Sequence, residues 1–153
     1  VDQLSLERPG SWRRCDHLAA KDAAHDADGS DTMNARSLTI LVVDDEWLLR
    51  QALCEELRDA GWHVLQAPSA ERALEIMRGD WQIDLLITDI RLGGAMTGWE
   101  LARACRAAIA GLPVIYVSAN PSDSIERVEG SVFLDKPCVI DRLLAACRML
   151  CGK

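Results

Sequence analysis

From residue 38 onward the chain alternates short apolar runs with segments of helical spacing, and four of the runs end in reactive side chains. Leu38–Val43 runs into Asp44-Asp45, Leu85–Thr88 into Asp89, Val114–Val117 into Ser118, and Val132–Leu134 toward Lys136-Pro137. A short run rich in Val, Ile or Leu and bounded by polar or turn-forming residues reads as a strand with both faces covered, as in a parallel sheet between two helix layers. In such sheets, side chains with chemistry emerge at the carboxyl ends of the strands, in a crevice where the strand order reverses. The pattern therefore gathers three carboxylates, a hydroxyl and an ammonium on one rim.

The intervening segments fit this layout. Glu46–Ala60 places Leu49, Leu53, Leu57 and Ala60 at helical spacing and stops at Gly61. Trp62–Gln66 reads as the second strand. Ser69 caps a helix whose inward residues are Ala70, Ala73, Leu74 and Met77. A glycine-rich loop after Asp89 leads to a helix from about Trp99 to Ala110. Asn120–Gly130 is too short and polar for more than a turn or two. Val139–Leu150 closes the pattern with Ile140, Leu143, Leu144, Cys147 and Leu150 facing inward. The expected fold is α/β, a doubly wound five-stranded parallel sheet of strand order 2-1-3-4-5 with an abbreviated fourth helix. The switch point then falls between strands one and three, where Asp44, Asp45 and Asp89 stand.

Residues 1–37 are rich in Asp, Ala, Ser and Arg without a sustained period, and too few apolar groups are present to offset the entropy of ordering. They read as a disordered extension, with residues 38–153 as the folded domain. Met33 lies just before the first strand, so translation starting there, with a misassigned upstream start, is a second expectation. Mass spectrometry of the native protein checks it: an intact N-terminus at Val1 or Asp2 removes the idea.

Several function classes are excluded on composition. The net charge is −7 and the chain has no basic stripe, which argues against direct binding of nucleic acid. No run of about 18 apolar residues is present to span a membrane, and no secretory leader opens the chain. The six cysteines form no C-x-x-C pair and lack zinc-site spacing, so they read as reduced thiols of a cytoplasmic protein.

An Asp-Asp pair alone is more often a solvated turn than a metal site. Following a buried strand, and joined by Asp89, it suits a hard divalent cation such as Mg²⁺, which takes oxygen ligands. Asp45 and Asp89 read as direct ligands and Asp44 as a ligand directly or through water. Asp89 is also the candidate phosphoryl acceptor, a carboxylate nucleophile whose repulsion from phosphate a metal would offset. Lys136 offers a point charge to phosphoryl oxygens and Ser118 a hydroxyl donor.

The Val43–Glu46 V-D-D-E, the Ile87–Ile90 I-T-D-I, the Val117–Ala119 V-S-A and the Lys136–Pro137 K-P together resemble the receiver domain of two-component response regulators, over residues 38–151. The resemblance implies a flavodoxin-like fold and phosphorylation of Asp89 by a histidine kinase. It also implies Mg²⁺ on Asp44, Asp45, Asp89 and the backbone carbonyl of Arg91. Ser118 and Phe133 would be the hydroxyl and aromatic switch positions, and the Lys136-Pro137 bond would be cis, which helps aim Lys136.

Two departures refine the match. The loop after Asp89 is one residue longer than in common receivers, with Gly93 in place of the usual proline, and the segment from Ser118 to Lys136 is shorter. Both features are similar to stand-alone alphaproteobacterial receivers associated with HWE-type kinases, and the short segment puts the ordinary output face in question. The chain ends soon after its last helix, so the expectation is a single-domain response regulator rather than an enzyme. It would act by protein-protein interaction or onward phosphotransfer to a downstream target or phosphotransfer protein, as a monomer or phosphorylation-dependent dimer. One rival is a phosphorylation-independent binding module of the same fold. Another is a Mg²⁺-dependent aspartyl-phosphate phosphatase, which commonly needs a carboxylate where Arg91 stands.

Overall fold

The computed structural model describes residues 36–120 and 126–152. The expectations for the N-terminal extension and for a start at Met33 lie outside the described residues. So do residues 121–125, on which the expected abbreviated fourth helix mainly falls.

Five strands and four helices alternate among the described residues: β1 (Thr39–Val43), α1 (Trp47–Asp59), β2 (His63–Ala67), α2 (Ala70–Met77), β3 (Leu85–Asp89), α3 (Gly98–Ala108), β4 (Val114–Ser118), β5 (Val132–Asp135) and α4 (Ile140–Cys151). All neighbouring strands are parallel and the order is β2-β1-β3-β4-β5, as the sequence pattern predicts. Every residue of β1, β3 and β4 is buried, whereas β2 and β5 at the edges are only partly so.

The two-residue period of the strands divides the core into two layers. Leu41, Val43, Leu86 and Tyr116 point to one face, where they meet Ala73 of α2 and Leu101 and Cys105 of α3. Ile40, Val42, Leu85, Ile87 and Ile115 point to the other, against Cys54 and Leu57 of α1 and Leu143 and Cys147 of α4. Burying one such Leu or Ile side chain stabilises the fold by roughly 1.5–3 kcal/mol, so the central strands dominate the hydrophobic term.

Local chemistry starts and stops the helices. The Ser69 hydroxyl accepts from the Arg72 amide at the head of α2. At α3 a capping box forms, with the Thr97 hydroxyl accepting from the Glu100 amide and the Glu100 carboxylate accepting from the Thr97 amide at 2.8 Å. These Thr97 hydrogen bonds hold the Glu100 carboxyl below its ordinary range.

One inward face differs from the spacing-based expectation. In α1 the buried residues are Arg50, Cys54 and Leu57, Leu53 is partly buried, and Leu49 and Ala60 are exposed. The helix is thus turned by one position relative to the leucine stripe. That turn is tolerated because Arg50 meets hydrogen-bond acceptors inside, which offsets the cost of burying it.

Three cysteines, Cys54, Cys105 and Cys147, behave as packing residues. Burial pushes the thiols of Cys54 and Cys105 up to about 11 and that of Cys147 up to about 12. A thiol raised in the folded state confers stability that is complete below the ordinary value of 9.0 and lost as pH climbs through 11 to 12. Near neutral pH, mass spectrometry after alkylation should therefore show these three untouched in the native domain and modified on unfolding. Rapid native labelling of Cys54 would contradict this packing.

Candidate functional site

The rim forms where the strand ends meet the loops. The Asp44 amide continues the ladder by donating to the Ala67 carbonyl at 3.2 Å, so β1 is held in register up to its first acid. Asp44 Oδ1 accepts from the Glu46 amide at 2.8 Å, which curls the chain into α1. On β3, Asp89 Oδ1 accepts from the amides of Ile90 at 2.6 Å and Arg91 at 3.3 Å, leaving Oδ2 toward the cleft. Between β4 and the end of β5, the Lys136 amide donates to the Ser118 carbonyl at 2.9 Å, and the Lys136-Pro137 bond is cis.

Lys136 is the hub. Its Nζ donates to Asp89 Oδ2 at 2.8 Å and to Asp44 Oδ2 at 3.1 Å, with Glu46 Oε1 at 3.9 Å. The two aspartate side chains are 9% and 3% exposed and the lysine 13%, so these pairs are poorly screened. Burial pushes the Asp44 carboxyl above its ordinary value, and the Glu46 amide and the Lys136 ammonium only partly oppose that. For Lys136, burial acts downward, but the hydrogen bond to Asp89 and the charges of Asp44 and Asp89 outweigh it, and the ammonium ends above its ordinary value.

The surrounding cleft measures about 370 Å³ and is lined by Asp45, Glu46, Asp89, Arg91, Ser118, Ala119, Asn120 and Lys136. Carboxylate oxygens of Asp44, Glu46 and Asp89 lie within 4.8 Å of one another. All are hard oxygen donors of the kind Mg²⁺ prefers, so this donor set fits that ion. The third member is Glu46, which the sequence reading quoted within the V-D-D-E but assigned no role. Asp45 lines the cleft beside the loop: its Oδ2 is 3.0 Å from where a Cβ on Gly93 would stand, and Gly93 has φ +65°.

The remaining candidates sit around this centre. Ser118 is buried, and its hydroxyl accepts from the Asn120 amide at 3.3 Å. Arg91 is exposed on the cleft wall. Phe133 pairs in register with Tyr116 and packs, half-buried, against the α2–α3 side of the core rather than lining the cleft. Trp47, beside Glu46, is 61% exposed, whereas Trp99 is buried and packs on Tyr116 with ring centroids 4.5 Å apart. Trp47 thus stands exposed beside the site, and Trp99 is a core residue. Gly98 and Arg50, which support the site from below, carry no motif that would single them out. Among the described residues no helix is long and apolar enough to cross a membrane.

Comparison with known proteins agrees with this geometry. The sequence matches the family described as response regulator receiver domain over residues 40–148. Response regulator MprA of Mycobacterium ulcerans (strain Agy99) is 34% identical over 119 residues, covering 74% of this chain and 50% of that protein. MprA of Mycobacterium tuberculosis (strain ATCC 25618 / H37Rv) gives the same identity and coverage. The chain thus spans about half the length of these curated relatives. Among solved structures, a response regulator receiver protein from Sinorhizobium medicae WSM419 is similar with TM-score 0.73 and 31% identity, covering 76% of this chain and 96% of that one. A receiver protein from Pseudomonas putida follows with TM-score 0.66 and 31% identity, over 75% of this chain and 98% of that one. With residues 40–148 matched and an acidic rim at the ends of β1 and β3, the chain belongs to the response regulator receiver domain family.

Proposed function

We propose that this domain accepts a phosphoryl group on Asp89 from a phosphohistidine of a histidine kinase, in a Mg²⁺-dependent reaction. The observation that carries the reading is the Lys136 ammonium held between Asp44 and Asp89 at the mouth of an acidic cleft. Asp89 Oδ1 is occupied by two backbone amides, so Oδ2 is the nucleophile. As its bond to phosphorus forms, the donor's P–N bond breaks and the electron pair stays on the imidazole, which takes a proton. Lys136 then transfers its hydrogen bond from the carboxylate to a phosphoryl oxygen, and the Ser118 hydroxyl donates to another. Asp44, Glu46, Asp89 and Asp45, with the Arg91 carbonyl, are the groups that would hold the cation. When bound, that ion offsets the repulsion between carboxylate and phosphate.

Ser118 and Phe133 are the proposed switch pair that carries the change to a partner surface. The proposed donor is a kinase of HWE type, a reading that rests on the lengthened Gly93 loop and the shortened stretch before Lys136. Signalling by protein-protein interaction or onward phosphotransfer, in the cytoplasm, completes the proposal. A stand-alone receiver is part of the proposal, resting on the same lengthened Gly93 loop and shortened stretch before Lys136.

The test is acetyl phosphate with Mg²⁺, followed by mass spectrometry. A single phosphoryl adduct mapped to Asp89, absent in Asp89→Asn, is the expected result. No adduct on the wild-type chain would overturn the reading in favour of a phosphorylation-independent module. Arg91 supplies a second test. Its long cation on the cleft wall is positioned to hinder attacking water, so Arg91→Ala should lose its phosphate about threefold faster, roughly 0.6 kcal/mol of barrier. An unchanged hydrolysis rate would remove that role.

A further inference from the structure

Arg50 is 7% exposed, a buried cation in the first turn of a helix whose leucine stripe predicts a different inward face. Its guanidinium is used in two directions. Nη1 donates to the backbone carbonyl of Asp44 at 2.6 Å, and Nε donates to the side-chain oxygen of Gln66 on β2 at 3.1 Å. Both acceptors are neutral. Asp44 is therefore gripped on both sides of its backbone, its amide by the Ala67 carbonyl and its carbonyl by Arg50. Gln66 and Ala67 are adjacent, so one edge strand anchors both grips.

The Asp44 carbonyl belongs to the peptide unit that leads into Asp45. Its orientation sets the direction in which the next two side chains leave the turn. We propose that Arg50 is a positioning residue for the metal and phosphoryl site. By clamping that peptide to β2 it keeps the carboxylates of Asp44, Glu46 and Asp89 within 4.8 Å of one another, and so sets the affinity for Mg²⁺. It does this without lining the cleft. The inference rests on the metal-dependent phosphoacceptor reading given above.

The alternative role for a buried cation here is its charge, and the two roles predict opposite signs. A positive group behind the site repels a divalent cation, so acting through charge alone its removal would tighten Mg²⁺ binding. Acting through position, its removal loosens binding. Lysine separates the two, because it keeps the charge but is a point donor that lacks the planar fork needed to hold two acceptors in different directions.

The experiment is calorimetric titration of Mg²⁺ into the full chain for wild type, Arg50→Lys and Arg50→Gln, with metal-free thermal unfolding and acetyl phosphate uptake at saturating Mg²⁺. Both variants should bind Mg²⁺ about tenfold more weakly, as for loss of a residue that orients metal ligands. Their phosphorylation rate should return toward wild type at saturating Mg²⁺, a split that general loss of folding would not produce. Wild-type affinity in folded Arg50→Lys, or tighter binding in Arg50→Gln, would overturn the proposal. Should either Arg50 variant fail to fold, Gln66→Ala decides: it removes only the distal anchor, and unchanged Mg²⁺ affinity there would equally overturn it. A wild-type chain that binds Mg²⁺ but takes up no phosphate would sink the phosphoacceptor reading while leaving the Arg50 comparison intact.

Discussion

Replacing Lys136 by methionine should cost the metal-free domain about 3 kcal/mol of stability near neutral pH. The ammonium is the shared partner of Asp44 at 3.1 Å and Asp89 at 2.8 Å, and both carboxylates are almost fully buried. Methionine fills the volume but leaves two like charges facing each other. The sign of the pH dependence follows. Asp44 is already raised by burial, and losing the ammonium raises it further. A carboxyl raised in the folded state favours folding below its unfolded value, and that contribution is lost as pH rises through the folded value. The deficit of Lys136→Met should therefore shrink on acidification toward the ordinary carboxylate range and be largest at neutral pH. Mg²⁺ should restore more stability to the variant than to wild type, because no ammonium competes for Asp44 and Asp89. Phosphoryl uptake should still fall, since the phosphoryl oxygens lose their cation. Urea unfolding at several pH values, with and without Mg²⁺, checks this; a deficit independent of both pH and metal would show that the ion pairs matter little.

Gly98→Ala should be at least as damaging, by a different mechanism. A Cβ at Gly98 would stand 2.0 Å from the Asp89 carbonyl oxygen and 2.8 Å from Ile90 Cα. Both are backbone atoms, so no side-chain rotation relieves the clash. The Gly98 amide also donates to the Ile90 carbonyl at 2.8 Å, which seats the first turn of α3 on the end of β3. Alanine must push α3 away or twist the peptide that carries Asp89, for a loss of roughly 3 kcal/mol or more. Gly94→Ala is the control, because a Cβ there meets only the flexible end of Glu71 at 3.3 Å. It should change stability by about 0.5 kcal/mol or less. Equal urea midpoints for the two variants would refute the close approach at Gly98.

Much of this domain was legible before any coordinates. The apolar runs of β1, β3 and β4 could only be two-sided buried strands, and the alternation with helices of ten or so residues left parallel order as the economical solution. Residues at the run ends were consequently readable as a shared rim, which brought Asp44, Asp89 and Lys136 together by topology alone. The inward residues Leu57, Leu143 and Cys147 followed from helical spacing.

What spacing could not reveal is how each side chain settles among competing partners. The leucine stripe pointed to Leu49, yet that residue is 41% exposed while Arg50 lies inside, because a guanidinium with two fitting acceptors outweighs one apolar contact. Spacing gave Glu46 no role, yet its carboxylate lies within 4.8 Å of those of Asp44 and Asp89, while Asp45 lines the same cleft. Gly98 is one of three glycines after Asp89, with Gly93 and Gly94, and only its distance to the Asp89 carbonyl distinguishes it. By itself, then, the sequence determined the strand ends, their order and the reactive groups they deliver, because hydrophobic period is a local property of the chain. Only the tertiary structure decided which carboxylates converge, what clamps their turn and which glycine is indispensable, because those depend on distances of a few ångströms between residues far apart along it.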